Sequence, residues 1–460
     1  MTTTRPPVLG RSPLGRAYVE HLAASGSTQV PTAAAGDSAV LEPYRDRLTD
    51  GPAFLSTTEC HGLARDLRTV YDLLRALPER VFDGNLTALA EAVGMDARQT
   101  ALITRGAHAG SLAPLGRADL YHDGTGFRLL EFNITSALGG FEAADINRAM
   151  LAYPPLREFV TRHGLRYPDT LDCIVRMMYA ECAAMIPTDR PPVVAVVDTT
   201  ENFAIVGSRL EVLADMLGRY GIEGVGCHLG QFTYPGGRPR VAGRAVDVVL
   251  RYFLPEDLSD PAAAAQVEPL LAAAEREQVG LFSRLDAELY GNKGTLAMLS
   301  DDRHRGLFDA GELACLDRIL PWTRHVRARG TDAEGAEVDL LAYGRARQDE
   351  LVLKPTLLHG GNGVLPGWTV DGAEWRARLD SALDGPFVLQ RRVRPTAEPF
   401  PGGAGGRQDL YLNWGVYLAD GDVVGEDGYA GCLVRGSADP GVGVVSMAGG
   451  ARIGCTFHGG

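Results

Sequence analysis

The chain predicts an α/β fold with α+β elements, divided into several units. Three observations predict it. Strand, helix, strand, helix follow one another through residues 190–280. Two strand-like runs flank a tight turn at 117–133. Short apolar runs ending at Lys354, Gln390 and Arg435 recur through the last third. With 460 residues, 45% of them hydrophobic and 22% charged, the chain can bury more than one core.

In order along the chain, residues 1–35 are rich in Pro, Thr, Ala, Gly and Ser, which predicts irregular structure. Residues 60–105 read as helical. Leu63, Leu67, Val70, Leu73, Leu74 and Leu77 form a stripe at helical spacing. A second helix is expected at 85–94, and Asp96 can cap a third. The hairpin turns at Asp123-Gly124-Thr125-Gly126. Helices are expected at 145–153 and 156–162, with Pro154-Pro155 between them. Another is expected at 171–185.

Pro191-Pro192 then introduces Val193-Val194-Ala195-Val196-Val197-Asp198, a continuous apolar run that suits a buried parallel strand. A helix at 203–220, strands at 224–228 and 246–251, and an Ala-rich helix at 261–279 complete this unit. The last third reads as short strands joined by glycine-rich turns, with loops at 334–335 and 402–406. The expected division is a helical region at 1–105, then 106–165, an α/β domain at 166–290, and 291–460.

Composition excludes several classes of function. A net charge of −13 is the wrong footprint for a general nucleic-acid binder. Seven cysteines without a C-x-x-C pair predict reduced, buried thiols, and an odd number cannot all pair within the chain. No apolar run approaches the ~20 residues of a membrane span. The start, Met-Thr-Thr-Thr-Arg-Pro-Pro, has no apolar signal core, so the expected location is cytoplasmic.

The hairpin is the most informative segment. Side chains two apart on a strand share a face, so Glu131 and Asn133 point the same way. The turn brings Asp119 beside them. Two carboxylates and an amide oxygen make a hard-oxygen site suited to Mg²⁺. Arg117 shares a face with Asp119 and can reach the same phosphates. Taken alone, this stretch fits a surface hairpin with polar ends equally well.

Four other segments carry chemistry. Leu351-Val352-Leu353-Lys354-Pro355 is followed by His359-Gly360-Gly361-Asn362-Gly363-Val364. Glycines let backbone N–H groups approach phosphate oxygens. This is neither a Walker A sequence nor a dinucleotide fingerprint, and a plain hairpin turn also fits. Gln390 ends an apolar strand 36 residues after Lys354, at a hinge that could face an adenine edge or could simply be a charged turn.

Asn292-Lys293 opens a helix. A lysine at the positive end of a helix dipole gains a reason only if an anion sits there, and otherwise it is a solvated helix-end lysine. Arg435 ends another apolar strand, where it can stabilise developing negative charge or form a surface ion pair.

Together, in this order, these segments resemble the ATP-grasp ligases, specifically their circularly permuted, glutathionylspermidine-synthase-like branch. In that branch an Arg-x-Asp and Glu-x-Asn precede the ATP lysine, as Arg117, Asp119, Glu131 and Asn133 precede Lys354 by more than two hundred residues. The segment 246–256 is similar to the strand that closes its pre-ATP-grasp domain. Asn292-Lys293 is similar to its helix start, and Pro321-Trp322-Thr323 to the turn that follows. The resemblance covers about 110–455.

It implies an ATP-grasp fold with permuted order and an inserted Rossmann-like unit. It implies Mg²⁺ on Asp119, Glu131 and Asn133, and ATP phosphates on Lys293 and Lys354. Gly360, Gly361 and Gly363 would form a lid, and Gln390 the adenine hinge. Arg117 and Arg435 would neutralise the acyl-phosphate and the tetrahedral intermediate, and Ser136 would lie near the acceptor carboxylate. The family cysteine expected shortly after that serine is replaced by Ala137-Leu138-Gly139-Gly140, and no Cys/His amidase is visible, so glutathione and spermidine are poor guesses. The expected activity joins a small carboxylate, such as an amino acid or peptide, to an amine, without nucleic acid or membrane. The alternatives are an ATP-dependent phosphotransferase on the same scaffold and a non-catalytic nucleotide-binding protein.

Overall fold

The computed structural model describes residues 12–26, 31–34, 40–107, 114–358, 360–402 and 406–459. Part of the irregular start, His359 and the centre of the glycine run at 403–405 lie outside the described residues.

The largest sheet has eight strands and draws on both halves of the chain. Its order runs Ala53–Leu55, Arg452–Gly459, Tyr429–Ser437, Arg407–Leu418, Gly116–His122, Phe127–Asn133. The long strand Arg407–Leu418 also pairs with Ala397–Pro401. The predicted hairpin is therefore present, stitched to strands that follow it by nearly three hundred residues. The strands of the last third are not all short, since Arg407–Leu418 has 12 residues.

Alternation decides which side chains the sheet buries. Ala118, Leu120, Leu129, Phe132, Leu412, Trp414 and Val416 enter one core. Helix Thr57–Phe82 lies against that face with Leu63, Leu67, Val70, Leu74 and Leu77, the stripe read from the sequence. Its start is fixed by a capping box between Ser56 and Glu59. Helices Leu86–Ala92 and Ala97–Gly106 follow, the second capped by Asp96 as expected.

Phe132 and Leu129 are three apart, yet both reach this core. A β-bulge makes that possible. Asp119 pairs with Glu131 while Leu120 pairs with Leu129, so Leu130 is the extra residue. The bulge leaves Glu131 and Asn133 on the opposite face, opposite Asp119 and Arg117 respectively.

A second sheet is four-stranded and parallel, in the order Gly280–Phe282, Val248–Arg251, Val193–Asp198, Glu223–His228. The predicted strands at 193–198, 224–228 and 246–251 correspond to three of these. Gly280–Phe282 was not expected; it adds an edge strand beside Val248–Arg251, which therefore lies inside the sheet. A third sheet, Thr323–His325, Phe387–Arg391, Leu351–Pro355, Leu365–Pro366, is antiparallel.

Three further details differ from the sequence reading. Residues 13–24 are helical, because Ser12 caps Gly15 N–H and Pro13 opens the first turn. Pro154 and Pro155 start the helix Pro154–Arg162 instead of separating two helices, since proline needs no donor in a first turn. The N-terminal region also contributes a strand, Ala53–Leu55, parallel to Arg452–Gly459. All seven cysteines are free and buried, and none of the described helices is long and apolar enough to cross a membrane.

Candidate active site

The polar face of the large sheet meets the third sheet across a cavity of about 200 Å³. Arg117, Asp119, Glu131, Asn133 and Arg435 line it from one side. Lys354, Gln390, Gly360 and Gly361 line it from the other. Residues from distant parts of the chain thus converge as the sequence suggested.

Asp119 is buried and held by two arginines. Its Oδ2 lies 2.7 Å from Arg435 Nη2, and its Oδ1 lies 3.2 Å from Arg117 Nε. Arg435 reaches it across Gly415 of the intervening strand, which pairs with Asp119. A Cβ at Gly415 would meet Arg117 Cδ at 3.1 Å, so a side chain there would crowd the pair. Arg117 also donates to Gly139 O at 2.7 Å, and Tyr417 Oη donates to the same carbonyl. Burial opposes the charge on Arg117, but Asp119 and Tyr417 outweigh it, and its pKa is raised.

Asn133 Nδ2 donates to Arg117 O at 3.3 Å, which turns Oδ1 away from that strand. Glu131 Oε2 lies 3.4 Å from Lys293 Nζ. Lys293 is buried at the start of helix Lys293–Ser300, and Nζ also donates to Leu358 O at 2.8 Å, where the glycine-rich loop begins. Lys354 Nζ donates to Gln390 Oε1 at 2.6 Å and to Leu130 O at 3.1 Å. The bulge thus supplies the carbonyl on which the lysine rests. Burial, with Lys293 adding to it against the pull of Glu131 and Asp119, brings the Lys354 pKa down to about 8.

Gly360, Gly361 and Gly363 have φ of +67°, +85° and +70°, in the region that glycine enters without strain. A Cβ on Gly360 or Gly361 would touch nothing, so the loop stands clear of the sheets. Gly363 is turned to Pro355 and does not line the cavity. Lys293 does not line it either and reaches it through Glu131. The Gln390 side chain is engaged by Lys354 and Thr323, while Val352, Val364, Trp368 and Val393 offer a flat ring its apolar wall.

Ser136 stands outside the wall. Its Oγ donates to Arg251 O at 2.7 Å or Phe282 O at 3.1 Å and accepts from Ser283 N–H at 2.7 Å. It pins the segment after the hairpin to the ends of two parallel strands. Ser136→Ala is expected to cost about 1–3 kcal/mol of stability, from the unmet groups left behind, with a proportionate fall in Tm. A variant with unchanged Tm and abolished turnover would restore a role at the substrate.

Asn413 and Tyr121 were missed. Asn413 alternates with the core residues Leu412 and Trp414, which places it on the cavity face, and that alternation is readable in the sequence. Its Oδ1 is buried without a hydrogen-bond partner, as are Arg435 Nε and Nη2. Nη2 is close to Asp119 but poorly aligned with it, so the contact is an ion pair and the N–H remains unspent. Buried groups of this kind, facing a cavity, are suited to an anionic ligand with its own donor.

Asp119, Glu131 and Asn133 also fit a divalent cation by donor chemistry. They are hard oxygens on one sheet face. Among the described residues no group of three His, Cys, Asp or Glu side chains could hold a metal, so an amide oxygen is needed to complete any such set.

No family model and no curated protein matches the chain. Among solved structures, a glutathione synthetase-like effector from Globodera pallida is 14% identical, with 88% of this chain and 86% of that one covered and a TM-score of 0.49. A protein named as a gamma-glutamylcysteine synthetase from Methylobacillus flagellatus KT is 14% identical, with 83% and 82% covered and a TM-score of 0.41.

Proposed function

We propose that this protein is an ATP-dependent carboxylate–amine ligase with an ATP-grasp site in permuted order. One observation carries the reading. Two buried lysines lie near the two carboxylates and the amide of the hairpin, Lys354 in the wall of a cavity bordered by a glycine-rich loop and Lys293 behind Glu131. That arrangement handles polyphosphate and a divalent cation together.

The residues divide the work. Lys293 and Lys354 bind phosphate oxygens, and glycines 360, 361 and 363 let the loop close over them. Asp119, Glu131 and Asn133 would hold Mg²⁺, which when bound neutralises phosphate charge. Arg435, with unspent N–H groups, receives the substrate carboxylate, and Ala137, Leu138 and Leu254 give it an apolar wall.

A carboxylate oxygen attacks the γ-phosphorus, and the bond to ADP breaks. The amine nitrogen then attacks the acyl carbon, phosphate departs, and the nitrogen loses a proton. Arg117 and Arg435 stabilise the charge on the carbonyl oxygen. Closure excludes water, which would otherwise hydrolyse the acyl-phosphate.

Trapping with hydroxylamine tests this. A panel of amino acids and apolar carboxylates with Mg²⁺-ATP should give a hydroxamate and ADP. Phosphoryl transfer to a stable product, indifferent to amines, would establish the phosphotransferase instead.

Lys354 sets the pH behaviour. Its proton is lost near pH 8, so ATP affinity should fall as pH rises through about 8, and Lys354→Arg should flatten that fall. The contribution of this lysine to stability runs the other way. Its folded pKa lies below the 10.5 of an exposed lysine, so the unfolded chain binds the extra proton between about 8 and 10.5, and stability rises across that window. Calorimetric titration and thermal melts over the same pH series check both slopes.

A further inference from the structure

A groove of about 70 Å³ opens beside the first cavity and shares Tyr121, Trp368, Val393 and Gly443 with it. Arg392 and Arg394 line the groove, and Arg391 lines the cavity itself. Arg391 and Arg394 are exposed, so both stand at the rim. Lys354 pairs with Val388, three residues before Arg391 on the same strand. The rim and the lysine are therefore about 10 Å apart along that strand.

The cluster is not neutralised by its surroundings. Among the described residues, Arg391 and Arg394 form no ion pair and no side-chain hydrogen bond. Arg392 is fixed in place. Its guanidinium carbon lies 3.6 Å from the centroid of the Trp368 ring, and Nη1 donates to Asp349 O at 3.3 Å. The neighbouring Glu350 carboxylate is spent on Arg347 at 3.0 Å. Burial, and then the charge of Arg394, holds the Arg392 pKa below its ordinary value, with Asp349 pulling the other way.

The setting makes three unneutralised arginines informative. The chain carries a net charge of −13, which repels an approaching polyanion. A local positive rim reverses that field where it matters. At about 0.1 M salt the Debye length is about 10 Å, so the fields of the rim and of Lys354 still overlap.

We propose that Arg391, Arg392 and Arg394 form an electrostatic landing rim that draws a nucleoside polyphosphate into the first cavity. The proposal rests on the ATP reading of that cavity. The rim speeds encounter and orients the phosphates inward, and the final contacts are left to the lysines.

Stopped-flow tryptophan fluorescence on the full chain, at low and at high ionic strength, measures association and dissociation of Mg²⁺-ATP separately. Arg391→Glu combined with Arg394→Glu should slow association about tenfold at low salt. Dissociation should be unchanged, and the difference should close at high salt. The corresponding glutamine pair should show a smaller loss of the same kind, and it serves if the glutamate pair does not fold. Adenosine, which has no phosphate charge, should associate equally with wild type and variant. Unaltered ATP association overturns the proposal, as does a loss confined to dissociation, persisting at high salt or shared by adenosine. Failure of wild type to bind ATP removes the ATP reading and the proposal together. Salt-dependent association without hydroxamate formation removes the ligase reading and leaves the rim standing.

Discussion

Glu131→Ala should lower turnover about a thousandfold while the protein keeps its fold. Glu131 is half-buried on the cavity face, so its removal empties no core. The apolar neighbours that fix the hairpin, Leu129 and Phe132, remain in place. What disappears is a carboxylate opposite Asp119 and 3.4 Å from Lys293. Without it, Lys293 and Lys354 face each other with less compensation, and the oxygen set for a divalent cation loses one of its two carboxylates. Steady-state release of ADP, with circular dichroism on the same sample, measures both halves. Glu131→Gln, which keeps the volume, should be nearly as inactive. Full activity in either variant removes the metal-site reading.

Lys354→Met should reduce turnover to a similar degree and weaken ATP binding about a hundredfold. Methionine retains the buried stem of the lysine and removes its charge. The side chain is only 7% exposed, and the charge is paid for in desolvation, which is why its pKa falls to about 8. Stability should therefore hold or rise, even though Leu130 O and Gln390 Oε1 each lose a donor. Loss of function with unchanged or raised Tm is the pattern expected of a group kept for its ligand. If ATP affinity is unaltered, the lysine is structural.

Much of the site was legible because strand alternation is a strong constraint. Arg117 with Asp119, and Glu131 with Asn133, share faces by period two alone. Their meeting was harder to read. A regular hairpin closed at Asp123–Gly126 would pair Asp119 with Leu130 and turn Glu131 toward the core. The bulge corrects that register, and no residue in Leu-Leu-Glu-Phe-Asn announces it. Two leucines in a row are compatible with either register, and the choice is made by Phe132 and Leu129 both finding the core under Trp414.

Gly280–Phe282 was missed for a different reason. Three residues after an Ala-rich helix hold too little periodicity, and only the neighbouring strand Val248–Arg251 makes them a strand. Ser136 shows the reverse case. Its position beside the hairpin pointed to substrate, but carbonyls contributed by two other strands claim its hydroxyl. Sequence neighbours could not reveal those partners.

The eight-stranded sheet has a consequence for how the molecule is made. Ala53–Leu55 pairs with Thr456, Phe457 and His458, so its partner is made some four hundred residues after it. The hairpin can close early, since its contacts are local. Asp119, however, meets Arg435 only after most of the chain has been synthesised. At roughly 5–20 residues per second, that interval is on the order of tens of seconds. For the earlier part of it, until Lys293 and Lys354 have been made, the nascent chain carries the hairpin's oxygens without the lysines. The Asp119–Arg435 ion pair, and the cavity wall it forms, is therefore complete only once the strand Tyr429–Ser437 is in place.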